Sequence, residues 1–328
     1  MTLLTIVQQM YGEIGLSPPS TVVGNTDQNV IKALYQANRA GIELRDVTKA
    51  SDYWPALRKQ FLFNLNGIGP FTGTFTPGSN VITSVVFTGS GTGLSGVGAT
   101  WQVSSKYVLN DTMVQSVNVG AATVTMSQNA ALTATQGAQT DTALAFGQEA
   151  YPYPSDLNYF IPQTGWDRNF RWQLLGPVDA QEWQVLKSGI SPVGPRLRYR
   201  IMAGQLYFNP APYVPAGQGS PISDLIVMEY ASNQWVAVTA APTVAVQTSF
   251  LLDTDVSVIP EDLITLSLKW RFLKSIGMPW ADEWTEFDDK VAAITGRQQM
   301  ARNLPLNARA SGIRLLNSQN VPDTGFGS

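Results

Sequence analysis

The sequence predicts an α+β fold: an antiparallel helical bundle built from both chain ends, with a β-rich middle and an inserted small all-β module. Two observations predict the bundle, because apolar residues recur at helical spacing near the start of the chain and again between Ile259 and Ile294. The third observation concerns the middle, where Lys106 and Asp111 are the only charged residues between Phe63 and Asp141. Short apolar runs among Gly, Thr, Ser and Val predict strands there.

The C-terminal segment gives the clearest helical signal. Pro260 suits a first helical turn, and Glu261 and Asp262 favour the positive end of a helix. Gly277-Met278-Pro279 predicts the end of that helix. The next helix carries a stripe at helical spacing, formed by Trp280, Trp284, Phe287, Val291 and Ile294. We therefore expect Trp284 to be buried in the bundle.

The N-terminal segment predicts a second pair of helices. Its first stripe comprises Leu3, Val7, Met10 and Ile14, and its second comprises Val30, Leu34, Ala37, Gly41 and Leu44. Small side chains at Ala37 and Gly41 would let another helix come close. Since each pair forms a short hairpin, a four-helix bundle closed by the two chain ends is the simplest packing.

The predicted domain organisation follows these changes in composition. Residues 1–65 and 143–300 form a core of helical bundle and β-region, and residues 66–142 form the inserted β-module. Residues 301–328 lack a periodic apolar face, so they are predicted to be an extended C-terminal tail.

Composition excludes several functional classes. The chain has no histidine and no cysteine, which removes the commonest general base, the thiolate nucleophile and the usual transition-metal ligands. The net charge is −3, so no overall basic field favours nucleic acid. No apolar run approaches the length that crosses a bilayer. We expect a protein that is not an enzyme and that uses no cofactor, metal or membrane.

Three motifs have simpler structural explanations. Gly91, Gly93 and Gly96 match a dinucleotide fingerprint, but the sequence that follows predicts a strand where the motif needs a helix. The acidic group of Asp253, Asp255, Glu261 and Asp262 lacks the glycine and final glutamate of a calcium loop, which favours helix capping. The acidic residues after Trp280 are explained by a solvated helix face.

The basic side chains of Arg196, Arg198 and Arg200 alternate along a predicted strand, so they point to one side. Such a row either contacts phosphates or meets acidic partners at a protein interface. Both readings stay open at this point.

Several segments together resemble one protein family. They are LRKQFLF, YPYPSDLNYFIPQTGWDR, GPVDAQEWQVLK, RLRYRIMAGQLYFNPAP, EYASNQWV and DTDVSVIPEDLITLSLKWRFLKSIGMPWADEWTEFDDKV, in that order. The chain resembles the head-to-tail adaptors of short-tailed bacteriophages, often called tail tubular protein A. The resemblance covers most of residues 1–63 and 143–300, and GWDR, PEDL and LKWRFLK are its most specific pieces. The 66–142 segment departs from the basic family pattern.

This resemblance implies a virion structural protein at the head–tail junction, assembled in the bacterial host cytoplasm. It implies a homo-oligomeric ring, usually of twelve subunits, under the portal protein. The ring joins capsid to tail, meets a tail nozzle or tail tube protein and tail fibres, and carries passing double-stranded DNA without sequence specificity. The C-terminal tail would reach the portal. Its apolar and basic residues are the expected portal-binding set, namely Arg309, Ile313, Arg314, Leu315 and Leu316.

Two alternatives belong to other classes. A carbohydrate-binding or depolymerising tail protein would use Trp101 and Tyr107 as a sugar platform. Glycoside hydrolysis needs two carboxylates, and between Phe63 and Asp141 the chain offers only Asp111. A sequence-independent DNA-binding module would use the three arginines of the predicted strand.

Overall fold

The structure is a computed structural model, and it describes residues 1–46, 54–89, 92–189, 196–212, 222–238 and 244–298. The described residues divide into two compact units. Unit one comprises Met1–Gln60, Ser155–Ile161 and the described residues from Glu229 onward. Unit two comprises Phe61–Pro154 and the described residues of Pro162–Met228.

The described residues contain five α-helices and sixteen β-strands. The helices are α1 (Leu3–Glu13), α2 (Gln28–Asp46), α3 (Ala180–Lys187), α4 (Glu261–Ile276) and α5 (Ala281–Gln298). The strands are β1 (Arg58–Phe75), β2 (Val81–Phe87), β3 (Gln102–Ser104), β4 (Val114–Asn118), β5 (Thr123–Met126), β6 (Gln139–Gly147), β7 (Ala150–Pro152), β8 (Leu157–Phe160), β9 (Trp166–Asp167), β10 (Trp172–Gln173), β11 (Arg198–Met202), β12 (Gln205–Asn209), β13 (Ile222–Ser232), β14 (Val236–Ala237), β15 (Ala245–Gln247) and β16 (Val256–Ser257).

The predicted fold class is wrong. The described chain is mostly β-sheet, in three antiparallel sheets with five helices, and a helical bundle built from both chain ends is not found. In unit one, residues outside the helices occupy the core that a four-helix bundle would fill with helices, among them Trp235, Val236 and Phe250. Among the described side chains of α5, only Val291 is buried.

The helix α4 lies at the centre of unit one and packs against α1, α2 and α5. Its buried side chains cover every side of the helix, which is typical of a helix surrounded by protein. They are Leu263, Ile264, Thr265, Leu266, Ser267, Leu268, Trp270, Arg271, Phe272 and Leu273. The helix ends at Gly277, whose left-handed φ of 77° confirms the predicted stop.

The apolar stripe of α5 is narrower than its sequence suggests. Trp270 of α4 contacts Trp280 and Phe287, with ring centroids 5.9 and 6.4 Å apart. An α-helix turns by about 100° per residue, which places Trp284 at the margin of this stripe. Trp284 is 43% exposed, so the expectation that it is buried is wrong.

The backbone of Gly41 in α2 is covered by the indole of Trp235 rather than by another helix. A Cβ atom at Gly41 would lie 2.1 Å from the ring. Trp235 is fully buried, its Nε1 donates to the carbonyl of Thr248 at 2.7 Å, and Phe250 packs edge-on at 4.9 Å. The small residue therefore accommodates a large aromatic side chain, which the spacing of α2 alone did not indicate.

Unit two is built on antiparallel strands with their own apolar core. The second half of β1 pairs with β2 and β6, β6 pairs with β3, and β5 joins β2 to β4. Phe71, Phe75 and Phe146 are fully buried in this core. A separate sheet has the order β11-β12-β7.

The predicted domain ranges stay a prediction. Residues 66 and 142, the two ends of the proposed insertion, fall within β1 and β6. Residues 301–328 lie outside the described part of the chain.

The contact between Gly41 and Trp235 predicts that Gly41→Ala destabilises the protein. The added methyl overlaps the indole, and overpacking of this kind costs about 1–3 kcal/mol. Gly12 in α1 is the matched control, because a Cβ there meets no atom within 4 Å. Gly12→Ala should instead stabilise by about 0.5–1 kcal/mol. Urea unfolding of both variants measures the difference, and equal stability would contradict the packing.

Candidate functional site

The three arginines of the predicted row lie on and beside an outer strand of unit two. Arg198 and Arg200 belong to β11, and Arg196 precedes it. All three are half-buried, whereas Tyr199, which points to the other side, is buried. The guanidinium of Arg198 lies 4.0 Å from the carboxylate of Glu182 in α3. Contact of this row with phosphates and contact with acidic protein partners are both still predictions.

A second basic surface, absent from the sequence-based set, lies at the turn between β9 and β10. These strands pair antiparallel, with Trp172 opposite Asp167, and residues 168–171 connect them. The buried Asp167 holds the turn, because its Oδ1 accepts hydrogen bonds from the backbone N–H groups of Asn169 and Phe170 at 2.9 and 3.1 Å. Burial and the nearby Asp224 raise the pKa of Asp167.

This turn displays an aromatic ring between two cations. Phe170 is 57% exposed and lies 6.0 Å from the ring of Trp172. Arg168 and Arg171 are exposed, and Arg171 has a φ of 57°. We call residues 168–171 the arginine tip. The interleaving of basic and aromatic residues in WDRNFRW is the sequence signal that would have found it.

Unit two also contains a cavity of about 400 Å³. Its wall is formed by β3, the residues that follow β3, the end of α3 and the segment 209–212. The wall is largely polar, and it includes Ser105, Asn110 and Asp111.

An ion cluster adjoins the cavity, and two of its members, Asp111 and Lys187, line the cavity wall. Asp179 caps α3 by accepting the N–H of Glu182 at 2.7 Å, and the other end of this helix places Lys187 in the wall of the cavity. The ammonium of Lys187 lies 2.8 Å from Asp111 Oδ1 and 2.5 Å from Glu149 Oε1. The side chains of Lys187 and Glu149 are only 8% and 2% exposed. Burial raises the pKa of Glu149, and Lys187 opposes this effect.

This cluster places a second carboxylate, that of Glu149, near Asp111. The hydrolase alternative, as argued from the sequence, had only Asp111. The ammonium of Lys187 contacts both carboxylates, however, and occupies the space between them. Glycoside hydrolysis needs the scissile bond in that space. The arrangement therefore neutralises buried charge and does not favour hydrolysis.

The proposed sugar platform is not an exposed surface. The rings of Trp101 and Tyr107 are half-buried and pack against the apolar core of unit two. Tyr107 lies 5.7 Å from the ring of the fully buried Phe75. Both aromatic residues thus extend the core.

The remaining motifs have structural roles. Gly93 and Gly96 bound a short 3-10 helix that leads into extended backbone at Val97, and Gly91 lies outside the described residues. The carboxylate of Asp253 accepts the backbone N–H groups of Val22 and Val23, and that of Asp255 accepts those of Leu251 and Leu252. All four are loop residues, so the expectation that these two carboxylates cap a helix is wrong. Asp262 pairs with Lys290 at 3.3 Å. Within the described ranges, no group of three or more acidic side chains is arranged to hold a metal ion.

No family model and no curated protein matches the chain. Among the helices that the structure describes, none has both the length and the apolar character needed to cross a membrane. The expected portal-binding residues Arg309, Ile313, Arg314, Leu315 and Leu316 lie outside the described part of the chain.

Removal of the buried ammonium should destabilise the protein strongly. Lys187→Met leaves Glu149 without its cation, and breaking a buried ion pair in this way costs about 3–5 kcal/mol. Lys106 is exposed in the same unit and lies over the ring of Tyr107, so Lys106→Met should cost at most about 1 kcal/mol. Urea unfolding compares the two, and similar losses would contradict the proposed role of Lys187.

The raised pKa of Glu149 also predicts a pH dependence of stability. Since the folded protein binds this proton more tightly than the unfolded chain, whose carboxyl has the ordinary pKa of 4.5, stability falls as pH rises from 4.5 through the folded pKa. Glu149→Gln cannot titrate and should flatten the profile in that window. Glu182→Gln, at a carboxylate that is 52% exposed, is the control. Parallel profiles for wild type and Glu149→Gln would contradict the assignment.

Proposed function

We propose that the chain is a virion structural protein, the head-to-tail adaptor of a short-tailed bacteriophage. It forms a homo-oligomeric ring, of twelve subunits, under the portal protein. The ring joins capsid to tail and forms part of the channel for DNA ejection. The observation that carries the proposal is the ordered set of segments from LRKQFLF to LKWRFLK, which resembles this adaptor family along most of residues 1–63 and 143–300.

The surface of the described residues supports an assembly function. Several large apolar side chains are more than half exposed, namely Tyr35, Leu62, Val86, Leu109, Val119, Phe170, Val244, Leu251, Leu252 and Met278. Scattered exposed apolar residues are ordinary, but the pair Leu251 and Leu252 is held outward by a defined contact. The buried Asp255 accepts both of their backbone N–H groups, at 2.7 and 2.8 Å. Burial of such side chains in an assembly gains about 25 cal/mol per Å².

The partners follow from the same proposal. The portal protein lies on one side of the ring, and a tail nozzle or tail tube protein with tail fibres lies on the other. Double-stranded DNA passes through without sequence-specific contacts. The protein works at the head–tail junction of the virion after assembly in the bacterial host cytoplasm. Arg196, Arg198 and Arg200 are half-buried, and Arg198 lies 4.0 Å from the acidic Glu182, which supports a protein interface over free phosphate contacts.

The proposal predicts that the chain joins the portal protein encoded in the same genome. A mixture of the two should elute as one large particle in size-exclusion chromatography, and electron microscopy should show a ring added to the portal. A tail enzyme or sugar-binding protein would instead bind capsule glycan and elute apart from the portal. Separate elution at micromolar concentration would reject the adaptor function.

The expected portal-binding set gives a sharper test within the tail. Arg309→Ala with Arg314→Ala should weaken portal binding, because each removes a charge-assisted donor beside Ile313, Leu315 and Leu316. Arg302→Ala is the matched control in the same segment. Deletion of residues 305–328 should weaken binding further, by about tenfold or more, and leave the thermal unfolding of the remainder nearly unchanged. Full-strength binding by the deleted chain would remove the proposed role of the tail.

A further inference from the structure

The arginine tip has the composition of a protein–protein anchor. Aromatic residues and arginine are enriched among the side chains that contribute most to binding. Phe170 is more than half exposed, with Arg168 and Arg171 exposed beside it. Neither arginine has an ion-pair partner within the described ranges of the chain. The tip therefore offers two cations and an aromatic ring to a partner.

The backbone contacts of the tip hold this display in place before any partner binds. Asp167 accepts the N–H groups of Asn169 and Phe170, and the side chain of Asn169 donates to Asp224 Oδ1 at 3.1 Å. The N–H of Arg168 donates to the carbonyl of Leu225 in β13 at 2.9 Å. A turn that is already ordered loses little conformational entropy on binding, so more of the contact energy remains as affinity.

The two cations of the tip match a negatively charged surface, and the chain itself carries an acidic one. Asp282, Glu286 and Asp289 of α5 are spaced at i, i+4 and i+7, so they lie on one side of the helix. All three are exposed, and none has an ion-pair partner among the described residues. The nearby Lys290 is directed to Asp262. We call these three residues the acidic face of α5.

We propose that the arginine tip of one copy docks on the acidic face of α5 of a second copy. The proposal rests on the proposed adaptor function, because a ring requires each subunit to contact the next. The two surfaces differ, so the contact is heterologous, and repetition of one heterologous contact closes a ring when the rotation between neighbours allows it. Opposite charges across such a contact also fix its register.

Nucleic acid is the other class of partner that a basic and aromatic turn can take. The chain has a net charge of −3, so its long-range field repels DNA, and the tip neutralises only about two phosphates. An acidic protein surface matches the same two charges without this overall repulsion. Capture of DNA by the tip, in place of the contact between copies, would overturn the proposal.

The absence of cysteine from the chain makes disulfide trapping a direct test. Arg168→Cys and Glu286→Cys are made in separate full-length chains, one of them isotope-labelled, and are mixed and oxidised. Mass spectrometry then counts disulfides between labelled and unlabelled chains, which report contacts between copies only. Lys106→Cys, exposed in the same unit as the tip, replaces Arg168→Cys in the control mixture. We expect the mixed disulfide to exceed that of the control by about tenfold.

Charge reversal supplies the second readout. The Phe170→Cys chain is mixed with the Glu286→Cys chain. Adding Arg168→Glu to the Phe170→Cys chain should abolish trapping, because it places like charges opposite each other. Adding Asp289→Arg to the Glu286→Cys chain should then restore trapping, because opposite charges face each other again. Trapping at the control level, or trapping that ignores both reversals, overturns the contact between copies. Portal binding is measured on the same samples: a chain that joins the portal without trapping refutes this contact alone, whereas failure to join the portal refutes the adaptor function.

Discussion

Unit one depends on the burial of α4 on every side. A helix with buried residues around its whole circumference must be enclosed, and α1, α2 and α5 supply most of the enclosure. The burial includes a charge, Arg271, whose Nε donates to Ser267 Oγ at 3.2 Å and whose guanidinium bonds the carboxylate of Glu43 in α2. Burial and the nearby Arg39 lower the pKa of Arg271 to about 10, so it stays charged at neutral pH. The paired charge ties α2 to α4.

Local chemistry made parts of this fold predictable. The end of α4 at Gly277 depends on residues within one turn, and the structure confirms it. The fold class depends on distant contacts and was wrong. Gly41 lies opposite Trp235, far along the chain, and nothing near Gly41 in the sequence indicates an indole. Trp284 fits the helical stripe by spacing, but Trp270 packs against Trp280 and Phe287, and this contact leaves Trp284 at the margin of the stripe.

The candidate sites also divide into those that local sequence predicts and those that depend on the tertiary fold. Alternation along one strand was sufficient to predict that the side chains on either side of Tyr199 in β11 share one face. The ion cluster joins Asp111, Glu149 and Lys187 from three separate parts of the sequence, and only the tertiary fold brings them together. The arginine tip lies within one short segment, yet its exposure follows from the hairpin that presents Phe170. The ion cluster stabilises unit two internally, whereas the arginine tip is the feature that the proposed contact between copies would use.

The central claim is that exposed side chains of this protein are contacts in a larger particle. Hydroxyl-radical footprinting measures it most directly, because it compares the oxidation rates of single side chains in the free chain and in the particle formed with the portal. Phe170, 57% exposed, should react readily when free and be protected in the particle, while the fully buried Trp235 should stay protected in both. The half-buried ring of Tyr107, next to the exposed Lys106, is the reference side chain whose oxidation rate is compared within unit two. Equal oxidation of Phe170 in the free and assembled states would contradict the claim.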